Sequence, residues 1–468
     1  MRLRVLEASL DFPVDPAAAF CTLYADAPNS FWLDSSGPDH STGGDEHKHS
    51  YTATGMSFLG SSSTVVTADV DGVAELFDVL RSGLAGHAGE IPADPESTAK
   101  SPAGFALGWV GWFGYEVRAV TLGDPVPQQP RHPAAAFLWV DRLVAIDPTT
   151  GRTTLRALGE RWDGELAAWR DATVEALRSP ATPGEGTPVH TAPSWRYPDD
   201  DYLAMIGECQ RAIADGDAYQ LCLTNEVSVA RGPGAAPIDP VATYLALRAS
   251  SPTHHGGLIR AGGTALVSAT PERFLSVSPG GVVETKPIKG TRPRAAGPDE
   301  DRRLLQELLD SDKERAENVM IVDLMRNDLG RVCETGTVRV PALLQVESYA
   351  HVHQLVSTVR GRLRAGLDGL DAVASCFPAG SMTGAPKLAA SRILSRLEQR
   401  ARGVYSGAFG YLGVDGAVDL AMVIRSAVID ESGATIGAGG GITALSVPEE
   451  ELAEVKLKAA AVLAALRA

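Results

Sequence analysis

The stretch DLAMVIRSAVIDESGATIGAGGGI, residues 419–442, holds two strand-like runs with only the polar turn ESG between them. Working outward, QLCLTNEVSVA (220–230) and GTALVSATPERFLSV (263–277) also read as strands. So do short runs in STVVTADVDG (63–72), GFALGWVGWFGYEV (104–117) and AAFLWVDRLVAIDP (135–148). Helical patterns occupy 73–85, 163–178, 199–216, 298–330, 384–403 and 447–468. Strands outnumber the helices that could cross between them. The pattern therefore predicts an α+β fold with mixed or antiparallel sheets and helices on their outer faces.

The chain has 468 residues, with 42 Lys+Arg against 58 Asp+Glu, a formal charge of −16. With 44% hydrophobic and 21% charged residues it has ample material for a core, and bulk disorder is excluded. The acidic balance argues against nucleic acid or an anionic membrane as a partner, because both would repel the chain on average. Five scattered cysteines (Cys21, Cys209, Cys222, Cys333, Cys376) have neither a disulfide nor a zinc pattern. No apolar run reaches the roughly 18 residues of a membrane span, and MRLRVLEASLDFPVD lacks a signal core. A cytoplasmic location is expected. SPATPGEGTPVHTAPSW (179–195) reads as a linker or surface loop. It divides an N-terminal part, 1–180, from 198–468, with 181–197 between them. The polar stretch 35–50 also reads as loop.

Four places could carry chemistry. In the last helix, Ser446 and Glu449 have capping-box spacing and Pro448 suits a first turn. Glu451, Glu454 and Lys458 share one face beside the apolar stripe, which suits a divalent cation with an anion or, equally, a solvated salt-bridged face. In 311–329 the run Val319–Met325 is apolar on nearly every side except Asp323, predicting deep burial. Glu314 and Glu317 one turn earlier then need a metal, or an arginine such as Arg315 or Arg326. GAGGGI (437–442) and AGSMTGAPK (379–387), with Ser381 and Thr383, could present N–H groups and hydroxyls to a carboxylate, or be tight turns. In ETKPIKGTRPR (284–294), Lys286, Arg292 and Arg294 would favour a neutral, nucleophilic Lys289, unless this is an exposed basic loop. His47, His49, His351 and His353 lack a third ligand.

Taken together, TPERF (270–274), KPIKGTRPR (286–294), DKERAENVMIVDLMRNDLGRV (312–332), VHQLVSTVRGRL (352–363), FPAGSMTGAPK (377–387), GVYSGAFGYLG (403–413), MVIRSAV (422–428) and GAGGGIT (437–443) resemble the chorismate-utilising enzymes in order and spacing. GWVGWFGYEV (108–117) looks like that family's glycine-aromatic strand, and residues 1–100 match more loosely. The resemblance implies two large, mostly antiparallel sheets packed as a sandwich with helices outside. It implies Mg²⁺ held by Glu317, Glu451 and Glu454, with chorismate contacted by Ser381, Tyr405, Arg425, Lys458 and the N–H groups of Gly439, Gly440 and Gly441. Glu272 matches the family's general acid for the departing 4-hydroxyl.

Gln220 stands where the water-activating members carry a lysine, which argues against water as nucleophile. Lys289 stands where anthranilate synthases generally read PIAG, and resembles the nucleophile of the aminodeoxychorismate synthase branch. Gln354 replaces a histidine many members carry, consistent with a synthase that stops before pyruvate elimination. The branch implied is component I of aminodeoxychorismate synthase, with anthranilate synthase component I as the alternative. A catalytically dead scaffold is disfavoured because all the motif carboxylates and Lys289 are present. No glutaminase motif is evident, so ammonia is expected from a glutamine amidotransferase partner. FWLDS (31–35) only partly matches the tryptophan-binding motif of some relatives, so feedback inhibition by tryptophan is not expected.

Overall fold

The computed structural model describes residues 3–35, 55–86, 104–184, 191–349 and 352–467. His47, His49 and His351 lie outside them, as do residues 36–50 of the polar stretch and 185–190 of the Pro-rich one.

The residues read as strands alternate too little to leave one face wet, and the structure shows why: both sheets are covered on both sides. The first is a 12-stranded sheet: eleven strands run in order through 4–9, 153–159, 142–146, 57–61, 30–34, 255–261, 264–270, 426–430, 433–442, 220–230 and 384–385, and 194–195 pairs with 220–230 off this path. The second is 10-stranded: nine strands run in order through 288–293, 352–362, 282–285, 273–277, 418–422, 408–413, 108–113, 135–140 and 65–68, and 339–348 pairs with 352–362 off this path. The pairings among the described residues are antiparallel throughout; Ile429, for example, faces Ala434 and Asp430 faces Gly433.

Three apolar clusters hold the layers together. Phe31, Phe58 and Leu266 of the first sheet pack with Val110, Trp112 and Phe409 of the second, filling the space between them. Ile206, Leu247, Val455 and Val462 cover the outer face of the first sheet from helices Asp199–Ala214, Pro240–Ser250 and Pro448–Ala465. Leu76, Leu80, Ile321 and Met325 cover the second sheet from helices Val73–Ala85 and Asp312–Gly330. This is the expected sandwich with outer helices. Each fully buried Leu, Ile or Phe side chain contributes roughly 1.5–3 kcal/mol of transfer free energy.

Two local readings are corrected. Residues 298–330 are two helices, Pro298–Asp310 and Asp312–Gly330, because the Ser311 backbone is extended and its hydroxyl accepts from Glu314 N–H, capping the second. The stretch after Glu317 is not buried all round: Val319 is 43% exposed and Asp323 points outward to Arg326, so only the Ile321, Val322 and Met325 side faces the core. No helix among the described residues is long and apolar enough to cross a membrane.

Candidate active site

Among the described residues the chain passes directly from one sheet to the other at four points, and two of these lie side by side at the candidate residues. One is the step from strand Thr264–Thr270 to Arg273–Val277, which carries Glu272. The other is the step from Val418–Met422 to Ser426–Asp430, which carries Arg425. Met422 N–H donates to Glu272 O at 2.9 Å, and Ala269 N–H donates to Arg425 O at 3.2 Å. Arg425 holds φ at +52°, a left-handed conformation that costs a non-glycine residue energy and recurs at ligand sites. Burial pulls its guanidinium below the usual arginine range, against the attraction of Glu454 and Tyr405. Burial likewise lifts the Glu272 carboxyl above the ordinary carboxylate value, opposed by Lys289, by the Ser381 hydrogen bond and by Lys458.

Beside these crossings lies the glycine strand Gly433–Ile442. It pairs with Gln220–Ala230, Cys222 opposite Gly441, Leu223 opposite Gly440 and Thr224 opposite Gly439. Glycines let other groups settle on the backbone itself. A Cβ at Gly440 would stand 2.9 Å from a Glu451 carboxylate oxygen, one at Gly441 would overlap the Gln220 amide, and one at Gly437 would overlap the Tyr405 ring. Glu451, Gln220 and Tyr405 are thus packed on this strand by the absence of side chains. Gln220 is buried, and its Oε1 has no hydrogen-bond partner.

The last helix starts differently from its expected capping box. Its first flanking residue is Val447, which caps nothing. Ser446 Oγ instead accepts from Thr443 N–H at 3.1 Å and donates to Glu451 Oε1 at 2.7 Å. The carboxylate at 451 is only 3% exposed and its need for donors outranks the helix end. Lys313, on the helix that carries Glu317, reaches Glu451 at 3.3 Å. One turn on, Glu454 pairs with Lys458 at 2.7 Å, and the same ammonium donates to Gly439 O at 2.7 Å.

Lys289 comes from the facing sheet. The pairing of Ile288–Pro293 with Val352–Arg362 slips between Ile288 and Thr291. Gly290, in that slip, has φ +84°, and a Cβ there would meet Leu308 and Glu314. Such a bulge re-aims the side chain beside it. Lys289 points inward, its ammonium 3.6 Å from Glu317 Oε2. The loop is therefore not an exposed basic one.

The expected cause of a neutral Lys289 is absent. Lys286 pairs with Glu347 at 2.8 Å, Arg292 with Glu307 at 2.9 Å and Arg294 with Asp301 at 2.9 Å, so none of their charges is free to act on it. Burial alone would lower its pKa, but Glu317, Cys222 and Glu272 together outweigh burial and hold the amine protonated. Glu317 is paired by neither nearby arginine. Arg315 donates to Leu309 O and Arg326 pairs with Asp323. Its carboxyl is raised by burial; Lys289 relieves this, and the like charges of Glu314 and Glu451 add to it.

Ser381 lies in the short helical turn Gly380–Thr383, which precedes the helix Lys387–Glu398 as a separate element. Thr383 is turned away, its hydroxyl on Ala379 O at 3.2 Å. Gln354 is buried on Val352–Arg362, opposite Thr291. The neighbouring His353 is held by Ser348 at 2.8 Å and Asp301 at 3.1 Å. A groove of about 580 Å³, lined by residues such as Phe77, Arg331 and Asp371, contains none of the candidate residues. Among the described residues no three His, Cys, Asp or Glu side chains converge tightly enough to cage a metal. The donor chemistry nevertheless suits a hard cation. Glu317 and Glu451 are buried carboxylates whose like charges oppose each other, and Glu454 follows one turn later.

Sequence reading missed Arg402, Glu398, Lys387 and Asp328. Glu398 and Arg402 are four apart in a run that reads as ordinary helix, so their spacing suggests a surface pair; they are fully buried. Lys387 and Asp328 form a second buried pair at 2.6 Å.

A two-sheet sandwich whose crossings bring an acid and an arginine, and whose bulge brings an amine, to the side of a glycine strand defines a class. Residues 29–464 match the chorismate binding enzyme family, and the chain belongs to it. Over 97% of its length it is 43% identical to the aminodeoxychorismate synthase of Streptomyces pristinaespiralis, and spans 64% of that relative's length. It is 40% identical to anthranilate synthase component 1 of Streptomyces coelicolor, over 83% of this chain and 76% of the other. The crystal structure of anthranilate synthase component I from Streptococcus pneumoniae superposes with a TM-score of 0.70 at 26% identity, covering 98% of this chain and 92% of that one.

Proposed function

We propose that the chain aminates chorismate to 4-amino-4-deoxychorismate, with ammonia from a glutamine amidotransferase partner. Its product would serve p-aminobenzoate and folate or an aminobenzoate-derived metabolite, in the cytoplasm. The observation that carries this reading is Lys289, set by a bulge beside Glu272 and Glu317 in a cleft built on the glycine strand. The resemblance to aminodeoxychorismate synthases supports it further.

Arg425 would grip the enolpyruvyl carboxylate through its planar fork. The N–H groups of Gly439, Gly440 and Gly441, with Ser381, Tyr405 and Lys458, would seat the rest of the substrate. Glu317, Glu451 and Glu454 would hold Mg²⁺, which when bound supplies positive charge against the substrate's ring carboxylate. Lys289 is protonated in the free site, so it must lose a proton before it can attack. Glu272, its carboxyl raised by burial, would in its acid form give its proton to the 4-hydroxyl, while the Lys289 ammonium loses its proton to solvent as the substrate binds. The amine forms a bond to ring carbon 2 as the hydroxyl leaves carbon 4 as water. Ammonia then adds at carbon 4, the double bonds shift back, and Lys289 is expelled. Gln220 offers no basic atom with which to activate water in place of ammonia.

Mass spectrometry of the product from chorismate, ammonium and Mg²⁺ tests the reading. A product that has exchanged hydroxyl for amine and kept its enolpyruvyl group is expected. Anthranilate with pyruvate would replace this reading by the anthranilate synthase reaction.

A further inference from the structure

The Arg402 side chain is 1% exposed and touches none of the groups assigned to substrate. Its guanidinium has five N–H donors, and each one is used. Nε and Nη2 clasp the two oxygens of Glu398 at 2.9 and 2.7 Å. Nη2 also donates to Cys222 O at 2.8 Å, and Nη1 donates to Met382 O at 2.7 Å and to Ser406 Oγ at 3.4 Å. The Tyr115 ring lies 4.4 Å from the guanidinium carbon. The backbone on either side is pinned as well, since Glu116 accepts from Arg402 N–H at 2.8 Å and Gly403 N–H at 2.9 Å. Glu398 in turn accepts from Thr224 N–H at 3.0 Å and Thr224 Oγ at 2.8 Å.

The three segments bonded by this one group each carry a residue of the cleft. Met382 follows Ser381, Ser406 follows Tyr405, and Cys222 stands two residues after Gln220, opposite Gly441. Ser406 itself holds φ at +65°, so the turn it belongs to needs outside support. A buried ion pair contributes little net stability against apolar side chains of similar volume, so stability alone does not account for it. A planar fork that meets three separate chain segments at once does something an apolar filler cannot: it fixes their mutual spacing.

We propose that Arg402 is the positioning residue of the cleft, setting the distance between the Ser381 turn, the Tyr405 turn and the Gln220 strand. Its kinetic consequence rests on the chorismate chemistry proposed above; its structural consequence does not. Lysine keeps the charge but is a point donor on a shorter reach and cannot bridge all three segments.

Arg402→Lys tests this in the whole chain, by amide hydrogen exchange and by kinetics. Exchange should accelerate by about tenfold in 221–224, 380–385 and 404–407, the factor expected when one or two net hydrogen bonds are lost. The remote strands 135–140 and 142–146 should not change. The rate of ammonium-dependent turnover should fall by about 10²-fold, the size of effect a misplacement near 1 Å produces. The alkaline limb of the rate profile should move to higher pH, because a displaced Ser381 no longer favours the charged form of Glu272. Unchanged exchange, acceleration spread evenly over the chain, or an unaltered rate and pH profile in an enzyme with local acceleration would each overturn the proposal. A wild-type chain that consumes no chorismate would overturn the proposed function instead, and the exchange pattern would still decide this one. Should Arg402→Lys fail to fold, Glu398→Gln weakens the same anchor and should accelerate the same three segments; no local acceleration there refutes the proposal.

Discussion

Lys289 and Arg402 are both cations enclosed in the cleft walls, and they are treated in opposite ways. Arg402 uses every donor and is clasped by Glu398 at 2.7 Å. Lys289 meets a single carboxylate at 3.6 Å, and its side chain remains 14% exposed. Five good hydrogen bonds pin a group in place. One loose ion pair leaves it held in position but free to exchange partners. On the reading proposed above the arginine is the scaffold and the lysine does the chemistry, although both carry the same charge.

Removing the loosely held cation should have the largest effect. Lys289→Ala should lower carbon-4 amination on the order of 10⁴-fold, as the loss of one member of a catalytic set does elsewhere. Its cooperative unfolding should remain, since a bulge residue leaves no core cavity. Wild-type turnover in that variant would erase the distinction between the two cations.

Glu272→Gln should cost about 10²- to 10⁴-fold, the usual range for a lost general acid. Its carboxyl is raised in the folded chain, so the acid form persists above the ordinary carboxylate pKa and activity should fall as pH rises through the raised value. The same shift has a stability consequence. A group raised on folding supports the fold below its unfolded pKa, and that support is lost as pH rises through the folded one. The glutamine variant should therefore be at least as stable as wild type at neutral pH, in thermal melts at matched ionic strength. Ser381→Ala removes a hydrogen bond to the charged form, and its activity should decline at higher pH than that of wild type.

Glu454→Gln should raise the Mg²⁺ concentration needed for half-maximal turnover and weaken Mg²⁺ binding in a titration of the free protein. Unchanged metal dependence would remove Glu454 from the ligand set. The smallest effect is expected at Ser446→Ala, where a buried carboxylate loses one donor. A cost of about 1–3 kcal/mol in denaturant unfolding fits that loss, and a neutral outcome would show that Lys313 alone satisfies Glu451.

Much of the cleft was legible before folding because its parts are local. The bulge glycine sits next to Lys289, the acid follows a proline at a strand end, and three glycines stand in a row before the last helix. What misled was also local reasoning. The basic residues around Lys289 looked like neighbours acting on its amine, yet each turns to an acid on another element. Ser446 looked like a helix cap, yet a buried glutamate claims it.

By itself the sequence determined the α+β class, the strands of the sandwich and the membership of its motifs in one family, because hydrophobic period, turn length and motif spacing are properties of neighbouring residues. Only the tertiary structure decided that the crossings carrying Glu272 and Arg425 lie together, that Lys289 is charged, and that Arg402 ties three segments into one wall. Those outcomes depend on which partner reaches a buried polar group first, and partners separated by tens to hundreds of residues leave no periodic trace in the chain.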